Sequence, residues 1–120
     1  MLKFTQEHEW IRLDGDIATI GITLFAQEQL GELVFVELPE IGKSLRKGAT
    51  AAVVESVKAA SEVYAPIGGK VIETNAAVIA DPSLVNSDPM ESGWMFKVKV
   101  DDAREFEEFM DEATYRAQFG

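Results

Sequence analysis

The chain has 120 residues, 47% of them apolar, enough for one domain with a real core. Its 21 acidic and 11 basic residues give a net charge of −10, which argues against phosphate-backbone binding and suits partners that present basic patches. With no cysteine and a single histidine, His8, it has no disulfide, no thiol redox chemistry, no His-cluster zinc site and no ready Ser-His-Asp triad.

No apolar run approaches the length of a membrane span. The first nine residues lack both a signal peptide's apolar stretch and a transit peptide's basic, acid-poor character. The sequence therefore reads as cytoplasmic, or as mitochondrial matrix if a leader was removed.

Glu9–Leu13 and Asp16–Ile22 are strands joined by Asp14-Gly15, a strong hairpin signal, with Ala18, Ile20 and Ile22 on one face. Thr23 is placed to cap a short helix over 24–30, which Gly31 would end. Glu32–Leu38 is a further strand, apolar enough to predict burial on both faces at its centre.

A weak repeat follows. Pro39-Glu40-Ile41-Gly42-Lys43-Ser44-Leu45 is echoed by Pro66-Ile67-Gly68-Gly69-Lys70-Val71-Ile72 at an offset of 27 residues. The first copy leads through the Lys47-Gly48 turn into 50–56, the second through Glu73-Thr74-Asn75 into 76–80. Two similar β units flanking one hairpin predict a sandwich with approximate two-fold symmetry.

Between the copies, valines 53, 54, 57 and 63 with Tyr64 favour extended strands, and a reversal places Lys58 at a hairpin tip. A lysine there is either an ordinary solvated charge or a site for covalent modification.

Residues 81–89 are polar and turn-rich, hence a surface loop. Trp94, Phe96, Val98 and Val100 alternate with Met95, Lys97 and Lys99 in a half-buried strand. In the tail, Phe106, Phe109, Met110 and Ala113 form one helical stripe, so a C-terminal helix packed on the sandwich is predicted.

Little of this supports catalysis. No acid pair is singled out, and the P-loop, dinucleotide and EF-hand fingerprints are absent. A group carrier needs no such apparatus, because its attached cofactor supplies the hard chemistry. The absence of thiols also leaves nothing to exchange with a dithiol cofactor.

Glu55-Ser56-Val57-Lys58-Ala59 resembles the lipoyl-lysine motif, and Glu7-His8-Glu9-Trp10 resembles the N-terminal signature of glycine cleavage system H proteins. Gly21-Ile22-Thr23, Ala26-Gln27, Leu30-Gly31-Glu32, residues 34–39, Leu84-Val85-Asn86 and Gly93-Trp94 resemble that family at the expected spacing, across essentially the whole chain.

The resemblance implies one carrier domain over 1–120, a mainly β fold. This is the barrel-sandwich hybrid of two antiparallel sheets of lipoyl and biotinyl carriers, with a short helix near 24–30 and a C-terminal helix. It implies a monomeric, non-catalytic protein with lipoic acid joined to Lys58 as an amide, which removes one positive charge. Glu55 and Gly69 match positions recognised by lipoate-attaching enzymes. Read from the residues alone, Glu55 is a strand-end charge and Gly69 a turn glycine with positive φ.

In the family the lipoyl arm collects an aminomethyl group at glycine decarboxylase (P protein) and docks in a cleft on its own domain. The aminomethyltransferase (T protein) passes the carbon to tetrahydrofolate, and dihydrolipoyl dehydrogenase (L protein) reoxidises the dithiol. Glu9 and Glu62 match cleft positions near the docked amine, where carboxylates favour an ammonium. Gln29 stands where some members have histidine, and glutamine hydrogen-bonds without titrating. Leu24, Phe25 and Met90 also depart from the family pattern.

Other readings are a lipoyl domain of a 2-oxo acid dehydrogenase, an H-like protein that relays lipoyl groups to other complexes, and an interaction module with unmodified Lys58. The methionines that usually flank a biotinyl lysine are absent, since Val57 and Ala59 stand there.

Overall fold

The computed structural model describes residues 1–119. Its framework is two antiparallel sheets. The larger combines β1 (Leu2–Phe4), β2 (Glu9–Asp14), β3 (Ile17–Ile22), β5 (Ser44–Leu45), β8 (Gly69–Thr74) and β9 (Phe96–Val100), in the order β1-β2-β3-β9-β8-β5. The smaller contains β4 (Leu33–Glu37), β6 (Thr50–Ser56) and β7 (Ala60–Tyr64), ordered β4-β6-β7. Ile11, Ala18, Ile20, Val71, Phe96 and Val98 from the first sheet form one core with Leu33, Val36, Val54 and Val63 from the second. This burial supplies the main cohesive term, roughly 1.5–3 kcal/mol per fully enclosed aliphatic side chain.

Helix α1 (Leu24–Leu30) forms as expected. Thr23 Oγ1 accepts the Ala26 N–H at 3.2 Å, and Gly31, at φ 86°, ends the helix in a region that disfavours other residues.

The repeat becomes a local pairing. Its two copies lie antiparallel, with Ser44 opposite Lys70 and Leu45 opposite Gly69. Exchanging the copies at the 27-residue offset turns the 44–70 pair into 43–71. Those two residues are joined by the Val71 N–H donating to the Lys43 carbonyl at 2.9 Å, as two-fold symmetry requires. The symmetry stops there, because 76–80 is α2 (Ala76–Ala80), capped by the Asn75 side chain.

Four readings need correction. Strand β4 is an edge strand, and a β-bulge between Leu33 and Phe35 leaves Val34 and Phe35 54% and 46% exposed. Residues 81–89 contain a helical turn, α3 (Ser83–Ser87), whose Val85 enters the core. Met95, expected on the outer face, is fully buried. The tail is two pieces: a 3₁₀ turn over Ala103–Glu108 and α4 (Glu112–Phe119), separated by an antiparallel bridge between Met110 and Phe4. Phe106 anchors the first piece and Tyr115 the second, while Ala113 faces solvent.

Candidate functional site

Lys58 sits at the tip of the β6–β7 hairpin, and Ser56 locks that tip. Its N–H donates to the Ala59 carbonyl at 2.8 Å. Its Oγ accepts the Lys58 and Ala59 N–H groups at 3.1 and 3.2 Å. Two residues are thus pinned by one small side chain, while the side chains of Val57 (74% exposed) and Lys58 project into solvent. Among the described residues Lys58 makes no ion pair. Its side chain leans over the end of α1, where a Cβ on Gly31 would come within 3.1 Å of Lys58 Cε. The absent Cβ leaves this path open.

Next to Gly31 in sequence, Gln29 and Leu30 form one wall of a cavity of about 180 Å³. Glu9, Gln29 and Glu62 all line it, so the three residues singled out from the sequence do converge. Ile22, Leu30, Val54 and Val63 give it an apolar flank, and Glu7 adds a further carboxylate. An aliphatic chain ending in a cationic or hydrogen-bonding group suits such walls.

Of the cleft acids, Glu62 and Glu9 differ in setting. Glu62 is exposed and accepts the Tyr64 hydroxyl at 3.1 Å. Glu9 is 3% exposed and spans the two sheets: Oε1 accepts from Thr5 Oγ1 and Oε2 from the Tyr64 N–H, each at 3.1 Å. Burial pushes its pKa from 4.5 up to about 7, against the opposing pull of those two hydrogen bonds, and Glu7 adds to the rise.

His8 also lines the cleft. Its Nδ1 lies 2.8 Å from the Tyr115 hydroxyl, which lies 2.9 Å from Thr23 Oγ1, the cap of α1. Phe25 and Phe119 pack on its ring, with centroids 4.5 and 4.7 Å away. Burial lowers the His8 pKa, with Glu7 partly opposing, so the neutral ring is favoured. Helix α4 therefore reaches the cleft through Tyr115.

Glu55, half-buried near the end of β6, stands opposite Ala60 on β7 and Phe35 on β4. Gly69 is not at the hairpin. It begins β8 in the larger sheet, opposite Leu45 and Val100. Its φ lies outside the left-handed region, correcting the turn reading. Glycine is required there for another reason: a Cβ would run into the Lys99 carbonyl.

The sequence reading gave Asn86 no role, yet it holds the α1 end in place. Its Nδ2 donates to the Gly31 carbonyl at 2.8 Å and to Gln27 Oε1 at 2.9 Å, and its Oδ1 accepts the Leu33 N–H at 2.9 Å. The sequence marked it only as part of the family-like segment Leu84-Val85-Asn86, without a role. Asn86→Ala strands three polar groups and is expected to lower stability by about 2 kcal/mol. Amide exchange should accelerate first at Gly31 and Leu33; unchanged protection there would refute the clamp.

A lysine on a locked β-hairpin, carried by a two-sheet sandwich with a cleft nearby, defines a lipoyl-type carrier domain. The family model of the glycine cleavage H-protein matches residues 2–119, and the chain belongs to that family of non-catalytic carriers. It is also similar to the crystal structure of a glycine cleavage system H protein from Mycobacterium marinum. The identity is 35% and the TM-score 0.86, covering 98% of this chain and 94% of that one.

Proposed function

We propose that this protein is the lipoylated carrier of the glycine cleavage system, with lipoic acid attached to Lys58. The observation that carries this is the placement of a solvent-facing lysine, without an ion pair among the described residues, on a Ser56-locked tip, leaning over the α1 end that walls the Glu9–Gln29–Glu62 cleft. Lys58 would hold the lipoyl group, which would supply disulfide–dithiol chemistry for carrying an aminomethyl carbon from glycine decarboxylase to the aminomethyltransferase, with reoxidation by dihydrolipoyl dehydrogenase.

The chain's own residues bind and shield. Ile22, Leu30 and Val54 remove an aliphatic arm from water, while Glu9 and Glu62 favour an ammonium at its end. Gln29 offers a hydrogen bond whose strength does not change with pH. Glu55 and Gly69 serve recognition by lipoate-attaching enzymes, Glu55 through its carboxylate at the hairpin and Gly69 through the close β8–β9 fit.

Intact mass tests the attachment. Incubation with lipoate, ATP and a lipoate ligase should add one lipoyl group to the wild type and none to Lys58→Arg. An unchanged wild-type mass would instead favour an unmodified interaction module. With the lipoylated protein, glycine–bicarbonate exchange by the decarboxylase separates glycine cleavage from lipoyl relay, which predicts no exchange.

A further inference from the structure

His8 holds a backbone conformation that residues with side chains avoid. Its φ is 67°, the only positive value outside glycine among the described residues. Its N–H donates to the Thr5 carbonyl at 3.1 Å and its carbonyl accepts the Thr23 N–H at 3.0 Å, so the turn is fixed from both sides. Such strain persists where the surroundings hold a side chain in one place. Here the ring is held in the wall of the Glu9–Gln29–Glu62 cleft, packed on Phe25 in the first turn of α1.

Donor and acceptor accounting assigns the ring's tautomer. Thr23, 2% exposed, already accepts the Ala26 N–H through Oγ1, and the Tyr115 hydroxyl is the only other partner of that oxygen among the described residues. The Thr23 proton therefore goes to Tyr115 Oη, the Tyr115 proton goes to His8 Nδ1, and Nε2 carries the ring proton. The reverse order buries the Thr23 proton without an acceptor. Tyr115 lies outside the cleft walls, so Nδ1 is engaged away from the cavity. Nε2 has no partner, and no buried side-chain nitrogen among the described residues lacks one, so Nε2 is the open edge of a cleft-lining ring.

His8 also stands at the right depth. Lys58 leans over Gly31 at the end of α1, while His8 lies beside Phe25 at its start. The 7 residues of that helix span about 10 Å. The bonds from Lys58 Cε to the nearer sulfur of a lipoyl amide span about 10 Å when extended. A group carried on sulfur then lies beside the imidazole.

We infer that His8 is a recognition residue for an amine on the sulfur end of the arm, and that Tyr115 is its positioning residue. This rests on lipoylation of Lys58. The carboxylates of Glu7, Glu9 and Glu62 attract any cation, whereas His8 adds a directed acceptor. An ammonium donates only to an unprotonated nitrogen, so seating it moves the ring proton from Nε2 to Nδ1 by exchange with water, with the proton count unchanged. Nδ1–H then donates to Tyr115 Oη, and the Tyr115 proton turns to Thr23 Oγ1. The charge-assisted bond at Nε2 offsets the stranded Thr23 proton. A neutral arm leaves the tautomer as it was.

Nitrogen NMR of the isotope-labelled protein reads this tautomer, and His8 is the sole histidine. Because the chain has no cysteine, the reduced arm of the lipoylated protein holds its only thiols. One equivalent of bromoethylamine gives an aminoethyl thioether, the thiolate displacing bromide, and bromoethane gives a neutral ethyl arm. At about pH 8 the ring is neutral, and the unmodified and ethyl forms should favour Nε2–H by at least about tenfold. The aminoethyl form should invert that ratio. Tyr115→Phe keeps the ring stacked on Phe4 and should cut the starting preference by about threefold, which a merely structural tyrosine would not do. The same ratio in the ethyl and aminoethyl forms would overturn recognition by His8 while leaving lipoylation of Lys58 standing. An unchanged ratio in Tyr115→Phe would overturn the positioning role. A wild type that never gains a lipoyl group would instead remove the underlying reading.

Discussion

Trp10→Ala is expected to lower the unfolding free energy by about 3–5 kcal/mol, the range for emptying a large aromatic site. Thermal unfolding should fall by about 10–25 °C. The ring is completely buried, in a second cluster with Phe4 and Tyr115. Its Nε1–H donates to the Pro89 carbonyl at 2.9 Å, so truncation also strands a buried acceptor. The fit is tight, since a Cβ at Gly21 would lie 2.7 Å from three ring atoms. Collapse cannot fill the space, because Gly21 has no side chain to move in and β3 is held in register on both flanks. The effect extends to the cleft, because Trp10 fixes the strand position of Glu9. Urea unfolding checks the magnitude, and a loss below about 1 kcal/mol would show that the ring is not the anchor of this cluster.

Local chemistry explains what the sequence made legible. Asp14-Gly15, the Thr23 cap and Gly31 each act within a few residues, and each does in the fold what its chemistry suggested. The 53–66 hairpin was equally open to reading, because two β-branched runs surround a short polar centre. The alternation at 96–100 also held, with Phe96, Val98 and Val100 inward.

The misreadings arose where tertiary packing decides. An apolar run does not say whether a strand is central or an edge, and β4 proved to be an edge with a bulge. Helices as short as α2 and α3 have little intrinsic stability and exist because Val78 and Val85 enter the core. The stripe Phe106, Phe109, Met110, Ala113 fits one helix, but Met110 pairs with Phe4 and breaks it. At the site, convergence of Glu9, Gln29 and Glu62 followed from family resemblance, since residues so far apart carry no shared periodicity. The clamp role of Asn86 was illegible for a related reason: its three partners lie up to 59 residues away.

Glu9→Gln should abolish the pH dependence that Glu9 imposes on stability. An ordinary paired carboxylate stabilises the fold above its unfolded pKa, but Glu9 does the opposite. Burial holds its pKa near 7, above the 4.5 of the unfolded chain. Between those values the folded protein binds more protons than the unfolded one, so stability falls as pH rises. The loss begins above pH 4.5, is complete somewhat above pH 7 and amounts to at most about 3 kcal/mol. Glutamine keeps the shape and can still accept the Tyr64 N–H, but it does not titrate. Wild type and variant should therefore show similar urea midpoints near pH 5 and diverge by pH 8, with the variant the more stable. Parallel profiles would mean that Glu9 ionises like an exposed acid. The same linkage bears on the proposed carrier cycle. At pH 8 the buried carboxylate lacks a cation, and an ammonium-ended arm seated in the cleft supplies one. Loading should thus stabilise the wild type most at the pH where Glu9 is ionised and release part of its bound proton near pH 7. Glu9→Gln should lose that added stabilisation while retaining the contribution from Ile22, Leu30 and Val54.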